Sequence, residues 1–324
     1  MTESIFKVSF HGVRGSIPSP LTPPEVEEKL LRACQVAQPE NLKDESAIQD
    51  FVKGLPIELR GTFGGNSSCV SMEVNGERLI FDAGSGIRLL GQELMGCEFG
   101  RGQGKASLFF SHTHWDHILG IPFFVPFYIK GNKFTIHSPL PDIRERLEGQ
   151  QKSEYFPIPF SIYASDIDFV VLEDKTEHMI GDIKITWKGM YHPGQCYAYR
   201  VDCGGKSVVY ATDAEYKKLG SGDLKPAVEF FKDADLLIFD SMCTFSEGLE
   251  KEDWGHSSTF IGVDLAVEAN VKQIAFFHHE PTYSDFKLVD IFRQTEKYLK
   301  LVAPKQDLKM FLSYEGLTID LHQE

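Results

Sequence analysis

The chain has 324 residues, 42% of them apolar, which is enough for one large α/β domain or two modest ones. Its formal charge of −14 disfavours broad contact with a polyphosphate backbone, which depends on clustered Lys and Arg, and no basic run is visible. The N-terminal "MTESIFKVSF" lacks the basic and apolar segments of a leader, and no run approaches the roughly 20 apolar residues of a membrane span. These features predict a cytoplasmic globular protein.

The chain begins with strand patterns. "IFKVSF" at 5–10 alternates, and "CVSMEV" and "RLIFDAG" flank Asn75-Gly76, a strong two-residue hairpin signal. Between them, residues 21–60 contain two charged amphipathic segments, which predict a helical insertion that forms a lid or a dimer contact.

Strand and helix patterns then alternate. "SGIRLLGQELM" predicts a helix from Ser85, and the strand "ASLFF" follows it. Further helices are predicted near 141–149, 224–232, 257–270 and 284–300. Further strands are predicted at "KFTIHS", "IDFVVL", "IKITWKGM", "CYAYRVD", "KSVVYATD", "DLLIFDS", "KQIAFFHH" and "KMFLSYEGLTID", with a second hairpin at Gly204-Gly205.

Many strands with hairpins and interspersed helices predict two sheets packed face to face with helices outside. This is an α/β fold of the four-layer αββα sandwich type, with residues 1–324 as one domain that carries the insertion. The six cysteines show no C-x-x-C pairing, which predicts reduced packing residues.

"SHTHWDH" at 111–117 places three imidazoles and one carboxylate where a strand ends. Such groups are costly to bury unless a partner compensates them, and a divalent metal is the obvious partner. On extended backbone, the side chains of His112 and His114 point to the same side, which predicts that they bind one ion together. Asp116 and His117 begin a turn that aims elsewhere, where a second ion fits.

Each ion needs further ligands, since catalytic zinc typically has about three protein ligands plus water. His192, Asp213 and His278 each fall at a predicted strand end or an adjoining loop. A lone His or Asp there is usually structural. Three of them together with the first motif favour a metal site.

"SHTHWDH" followed by His192, Asp213 and His278 resembles the metallo-β-lactamase superfamily of dinuclear hydrolases, whose fold is an αββα sandwich. The match covers nearly the whole chain outside the insertion. The resemblance implies two divalent ions, zinc first and manganese or iron as alternatives, with a shared hydroxide as the nucleophile. It implies His112, His114 and His192 on one ion, Asp116, His117 and His278 on the other, and Asp213 bridging, with Asp116 also counted as catalytic.

A further motif narrows the resemblance. "WGHSS" places His256 before an amphipathic helix with Ser257 and Ser258 as caps. It resembles the extra histidine of the phosphodiesterase branch, which includes the transfer-RNA 3′ endonucleases and the phosphodiesterase of phosphonate breakdown. The resemblance implies that His256 contacts the phosphate and protonates the leaving oxygen, and we assign its orientation to Asp240. A surface residue at a helix start is the alternative.

"VRGSIPSP", "GTFGGNSSCV" and "FDAGSGIRLLG" also resemble a bacterial subgroup described as cyclic-nucleotide phosphodiesterase-like. Within them, Arg14 either meets a substrate phosphate or pairs with a local carboxylate. Asn66 is a turn residue first and a pocket hydrogen-bonder second. Asp82 is expected to hydrogen-bond a ligand histidine. Aromatic residues that could wall a base-stacking pocket, most of them expected in the core, are Phe123, Phe124, Phe127, Tyr128, Tyr155, Phe156 and Phe160.

The resulting expectation is hydrolysis of a small anionic phosphodiester, with a cyclic nucleotide as the first choice and with no membrane partner. Nucleic acid is an unlikely partner on this view, and a homodimer stays open. Transfer-RNA 3′ processing is the alternative enzyme, although Thr282 stands where that family's last motif carries arginine and its Gly/Pro-rich arm is not evident. A metal-containing nucleotide sensor with little turnover is the third option.

Overall fold

Two mixed β-sheets form the centre of the protein in the computed structural model, which describes residues 5–173, 177–216 and 221–322. Within these ranges each sheet contains seven strands. In spatial order the first sheet consists of β14 (Thr318–Asp320), β1 (Phe6–Gly12), β2 (Cys69–Val74), β3 (Glu77–Phe81), β4 (Lys105–Phe109), β5 (Lys133–Ser138) and β6 (Asp166–Val171). The second consists of β13 (Lys309–Leu312), β12 (Gln273–Phe277), β11 (Leu236–Asp240), β10 (Lys206–Ala211), β9 (Cys196–Cys203), β8 (Ile183–Met190) and β7 (His178–Ile180).

The strand directions bring several carboxyl ends to one edge of each sheet. Strands β3 to β6 pair in parallel, as do β10 to β13. Strand β9 is antiparallel to both β8 and β10, so β8 runs in the same direction as β10. The segments after β4, β8, β10, β11 and β12 therefore leave the sheets at their carboxyl ends, where α/β sheets usually carry their sites.

Both predicted hairpins are present. Val74 pairs with Glu77 around Asn75 and Gly76, whose φ angles are 49° and 88°. Positive φ at both central residues is the type I′ geometry that matches the twist of the flanking strands. Gly204 and Gly205 join β9 to β10 in the same way, with φ angles of 56° and 75°.

Ten α-helices lie in the described part of the chain, and several of them cover the outer faces of the sheets. They are α1 (Pro23–Val36), α2 (Glu45–Gly54), α3 (Ile57–Arg60), α4 (Ile87–Met95), α5 (Trp115–Ile118), α6 (Ile143–Gly149), α7 (Ser221–Phe231), α8 (Phe245–Glu250), α9 (Thr259–Glu268) and α10 (Asp285–Val302). Leu90 of α4 belongs to a buried cluster with the first sheet, and Val263 of α9 belongs to one with the second. Between the sheets, Phe10 lies 6.1 Å from Phe277, ring centre to ring centre. The predicted αββα layering is confirmed.

The helical insertion lies between β1 and β2 as α1, α2 and α3. Lys29 of α1 is buried and donates to Asp285 Oδ2 at 2.7 Å, Glu58 O at 2.6 Å and Gly61 O at 2.9 Å. A buried cation needs such a full set of acceptors. The insertion is thus tied to the start of α10, while its role as lid or dimer contact stays a prediction.

Some expectations differ from the structure. "KMFLSYEGLTID" forms two strands in different sheets, because the turn at Gly316, where φ is 87°, separates β13 from β14. Strand β7 and helix α8 were not predicted. All six cysteines are free, but Cys34 and Cys97 are exposed and pack in no core. The assignment of residues 1–324 to one domain stays a prediction. No helix among the described residues is both long and apolar enough to cross a bilayer.

His137 on β5 gives the fold a pH dependence. Its ring is stacked on Phe109 at 4.6 Å, and neither nitrogen has a hydrogen-bond partner. Burial, with a smaller contribution from His178, lowers the pKa of His137 to about 3. Because the unfolded imidazole titrates near 6.5, the neutral folded form is stabilising above that pH and loses its advantage as pH falls below it.

We expect His137→Phe to be more stable than the parent at pH 5, by on the order of 2 kcal/mol relative to their difference at pH 7.5. The free energies of unfolding of both proteins, taken from urea titrations at the two pH values, measure this. A difference that does not change with pH would contradict it.

Candidate active site

The structure brings all seven predicted metal-ligating side chains to one place at the carboxyl ends of the strands. They form two groups, each with its ligand atoms within 4.8 Å of one another. The first group is His112, His114 and His192, and the second is Asp116, His117, Asp213 and His278.

The first group comes from the segment after β4 and the loop after β8. His114 Nδ1 and His192 Nε2 lie 3.0 Å apart, and the rings of His112 and His114 are 4.5 Å apart. His112 and His192 are buried, whereas His114 is exposed. The first group therefore opens to solvent at His114.

The second group is buried. Asp116 Oδ2 lies 3.2 Å from His117 Nε2 and 3.0 Å from His278 Nε2. The backbone N–H of Ser16, in the segment after β1, donates to the same oxygen at 2.7 Å. Two distant parts of the sequence, together with the adjacent His117, thus fix one carboxylate.

Asp213 stands between the two groups. Its Oδ1 lies 3.3 Å from His117 Nε2 and 3.2 Å from His278 Nε2. Its Oδ2 lies 3.7 Å from His112 Nε2 and 3.8 Å from His192 Nε2. One carboxylate thus presents one oxygen to each group, which is the arrangement that a bridging ligand requires.

Unpaired nitrogens indicate that the groups suit cations. His112 Nε2 and His117 Nε2 are buried and make no hydrogen bond of normal geometry, although carboxylate oxygens lie 3.2 to 3.7 Å away. Burial lowers the pKa of His112 well below 6.5, which keeps a lone pair free for a ligand bond. Burial also lowers that of His117, but the carboxylates of Asp116, Asp213 and Asp82 raise it well above 6.5. The field at that ring favours positive charge, which a divalent ion supplies.

Asp82 orients His117 directly and His112 through Ser111, by hydrogen bonds on the side of each ring away from its group. Its Oδ2 accepts from His117 Nδ1 at 2.8 Å, Ser111 Oγ at 2.7 Å and Tyr210 Oη at 2.8 Å. Ser111 Oγ in turn lies 3.0 Å from His112 Nδ1. The expected partnership of Asp82 with a histidine of the first motif is present, and it fixes which nitrogen of each ring faces its group.

Asp82→Asn is expected to weaken metal binding about 10–100-fold, because an amide cannot hold the imidazoles with the same charge and polarity. Competition with a chelator of known affinity measures the change. Tyr210→Phe is the matched control, since it removes one bond to the same oxygen and leaves the charge, and its loss should be several-fold smaller. Equal metal affinity in Asp82→Asn and the parent would contradict this role.

The backbone at three site residues is left-handed. Asp82, Asp213 and His278 have φ angles of 58°, 47° and 61°, and each follows a strand. Such conformations cost a side-chain-bearing residue of order 1 kcal/mol or more, and they cluster at functional sites. They turn the chain sharply, so that residues at strand ends face the groups.

His256 lies beside both groups and pairs with Asp240 at the end of β11. Its Nδ1 is 3.0 Å from Asp240 Oδ2, and its ring is 5.2 Å from that of His278. Burial lowers the pKa of His256, but the Asp240 carboxylate outweighs burial and raises it to about 9. Ser258, not Ser257, caps α9 by accepting from Ile261 N. His256 is therefore held in place and not a loose surface residue.

Two predicted substrate contacts have other partners. Arg14 is only 3% exposed and donates to Gly64 O at 2.8 Å, Tyr283 O at 2.9 Å and Asp285 Oδ1 at 3.4 Å. Its guanidinium is therefore engaged in joining β1 to the start of α10, which favours the carboxylate alternative for Arg14 over a phosphate contact.

Asn66 has its side-chain amide engaged as well. Its Nδ2 donates to Glu315 Oε2 at 2.9 Å, and its Oδ1 accepts from Ser85 Oγ at 3.0 Å. These bonds favour its role in shaping a turn over contact with a substrate.

Two glycines that shape the site were not predicted from the sequence. A Cβ on Gly15 would lie 2.6 Å from the His278 ring, so only glycine fits there. Gly255 O accepts from His192 Nδ1 at 2.9 Å. Gly15 lies within the motif "VRGSIPSP" and Gly255 within "WGHSS". The spacing of these motifs did not reveal what either glycine contacts.

Comparison with known proteins places this geometry in a family. A family model described as a beta-lactamase superfamily domain matches residues 77–279, more than half of the chain. The chain is 26% identical over 283 residues to ribonuclease Z of Methanosarcina acetivorans, an alignment that covers 75% of this chain and 91% of the relative.

Solved structures have the same fold. The metallo-beta-lactamase fold protein YhfI of Bacillus subtilis superposes with a TM-score of 0.62 at 16% identity, covering 98% of this chain and all of that one (100%). Yeast PDE1 superposes with a TM-score of 0.60 at 13% identity, covering 97% of this chain and 99% of that one. The family match, together with the αββα layers, shows that the chain belongs to the beta-lactamase superfamily and is a hydrolase of that fold.

Proposed function

We propose that this hydrolase is a metal-dependent phosphodiesterase that acts on a small phosphodiester, with a cyclic nucleotide as first choice. The observation that carries the proposal is Asp213, whose two oxygens each face a separate group of ligand atoms. His256 lies beside both groups. A pair of cations next to a positioned acid is what cleavage of a charged ester with a poor leaving group requires.

The proposed ligands are those of the sequence analysis: His112, His114 and His192 for one ion, Asp116, His117 and His278 for the other, and Asp213 for both. Divalent ions bound there would supply Lewis acidity, charge neutralisation and a more acidic water. Nitrogen and carboxylate donors suit zinc first, and manganese or iron next.

His256 is proposed as the general acid. Because its Nδ1 bonds to Asp240, its Nε2–H is the proton available for the departing oxygen as the P–O bond breaks. The Asp240 carboxylate raises the pKa of His256, which favours the protonated ring. Asp240 orients the ring and stabilises its positive charge, as a buried carboxylate does for other catalytic histidines.

The substrate choice depends on charge. A chain of net charge −14 without a basic run has little means of holding a long polyanion, so the field of the bound cations must attract the substrate locally. A small anion satisfies this condition. The cytoplasm, where nucleotides are abundant, stays the proposed location.

RNA 3′ processing is a second candidate, because the similarity to a ribonuclease Z covers 75% of this chain. The earlier expectation against nucleic acid is weakened by that similarity. Thr282 stands in place of the arginine expected of such enzymes, which favours the small substrate over RNA.

The proposed function is tested with protein whose content of bound metal has been measured. Cyclic mononucleotides, bis(p-nitrophenyl) phosphate and a 3′-extended precursor transfer RNA are offered at equal enzyme concentration. Metal-dependent release of mononucleotides from the cyclic substrates supports the first proposal. Efficient trimming of the transcript with no turnover of cyclic nucleotides would replace it with the second, and nucleotide binding without any product would favour a sensor.

A further inference from the structure

Exposed aromatic side chains are concentrated around the candidate active site. Among the described residues, the exposed Trp, Phe and Tyr side chains are Trp115, Phe123, Tyr155, Tyr191, Phe245 and Trp254. Five of them lie in the segments that follow β4, β8 and β11, and the sixth lies between α6 and β6. Phe124 and Phe127, by contrast, are fully buried in the core.

Trp115 is the most exposed of them, at 80%. It lies between His114 and Asp116, one proposed ligand from each group, and it begins α5. His114 itself is exposed, so the indole stands at the surface beside the open side of the first group.

Tyr191, in the loop after β8, and Trp254, in the segment after β11, are two more exposed rings in segments that adjoin the site. A Cβ on Gly194 would lie 3.5 Å from His114 Nε2, so the loop after β8, which begins with Tyr191, lies against the first motif. Tyr191 Oη donates to Asp253 Oδ1 at 2.6 Å, next to Trp254 in sequence. We call Trp115, Tyr191 and Trp254 the aromatic rim.

We infer that Trp115 is a specificity-determining residue that stacks against the nucleobase of the substrate. This inference rests on the proposed phosphodiesterase function and names its substrate class as base-bearing phosphodiesters. A large exposed apolar surface beside a site is typical of a binding surface. Stacking of a base on an aromatic ring contributes about 1–3 kcal/mol and needs no net positive charge, which suits a chain of net charge −14.

Two esters with one leaving group isolate the base. Thymidine 5′-(p-nitrophenyl phosphate) and methyl p-nitrophenyl phosphate both release p-nitrophenol, and only the first carries a base. We expect the parent to prefer the first in kcat/KM. Trp115→Ala should lower this preference about 5- to 150-fold, the range that corresponds to 1–3 kcal/mol.

Matched variants separate stacking from other effects. Trp115→Phe should keep most of the preference, whereas Trp115→Leu, apolar but not aromatic, should lose it. Leu301→Ala removes a side chain that is 79% exposed on α10, away from the site, and should leave both rates unchanged. Metal content is quantified in every variant.

A preference that is unchanged in Trp115→Ala overturns the inference, as does a parent enzyme without preference for the base. So does a change confined to oligomeric state in size-exclusion chromatography, which would mean that the indole covers a second copy. In these cases metal-dependent hydrolysis of the methyl ester still supports the phosphodiesterase proposal. Failure to hydrolyse either ester counts against that proposal instead.

Discussion

Asp213→Ala is expected to lose bound metal and phosphodiesterase activity together. Asp213 is 2% exposed and offers one carboxylate oxygen to each group of ligand atoms, so its removal would take a ligand from both proposed ions at once. Burial raises its pKa, but His278, His117 and His112 outweigh burial and hold it well below 3.8, so the carboxylate is charged at neutral pH. We expect metal affinity to fall by more than about 100-fold, beyond the effect of an outer hydrogen-bond partner.

Elemental analysis after dialysis and rates on bis(p-nitrophenyl) phosphate measure the two losses. Asp235→Ala is the matched control. Asp235 is also buried, at 4% exposure, but it lies before β11 at the opposite edge of the sheet and accepts from Ser207 N and Lys272 Nζ. The control is expected to lose stability but to keep its metal. Full metal content in Asp213→Ala would refute the bridging role.

His256→Ala is expected to keep metal and to lose turnover selectively. Loss of the proton donor should slow esters with alkoxide leaving groups by about 10²–10⁴-fold, the usual contribution of a general acid. Esters of p-nitrophenol, whose anion needs no proton to depart, should slow much less. A plot of log kcat/KM against leaving-group pKa should therefore be steeper for the variant.

Asp240→Asn serves as the companion variant, because it keeps the shape of the side chain that orients His256 and removes its charge. It should show the same leaving-group pattern with a smaller loss. The double variant should be little worse than His256→Ala, since the two residues act as one unit. Equal losses across all leaving groups would contradict the acid role.

Local patterns in the sequence predicted much of the fold. Asn75-Gly76 specifies a type I′ turn through its own backbone preferences, so no distant residue is needed to predict it. The segment 309–320 shows the limit, because strand periodicity identifies strands and not the sheet that each one joins. β7, with only three residues, is too short for a periodic signal.

The candidate site could be predicted where several side chains of metal-binding type lie close together in the sequence. "SHTHWDH" carries four metal-ligand side chains in seven residues, and the structure brings His192, Asp213 and His278 to it. The choice between the two roles of Arg14 could not be made from the sequence, because its acceptors lie 50 to 271 positions away in the chain. No local pattern distinguishes an arginine that binds a ligand from one that is fully engaged by backbone carbonyls.

The left-handed turns at Asp82, Asp213 and His278 limit which substitutions the site tolerates. Valine, isoleucine and threonine are strongly disfavoured at such φ angles, whereas aspartate, asparagine, histidine and glycine adopt them more readily. Exchange of these three residues by random mutation is therefore restricted to a small set of side chains. Redesign towards another metal or another ester has more freedom at loop positions with negative φ angles, whereas Ser16, Gln195 and Asp253 in the surrounding loops share the left-handed restriction.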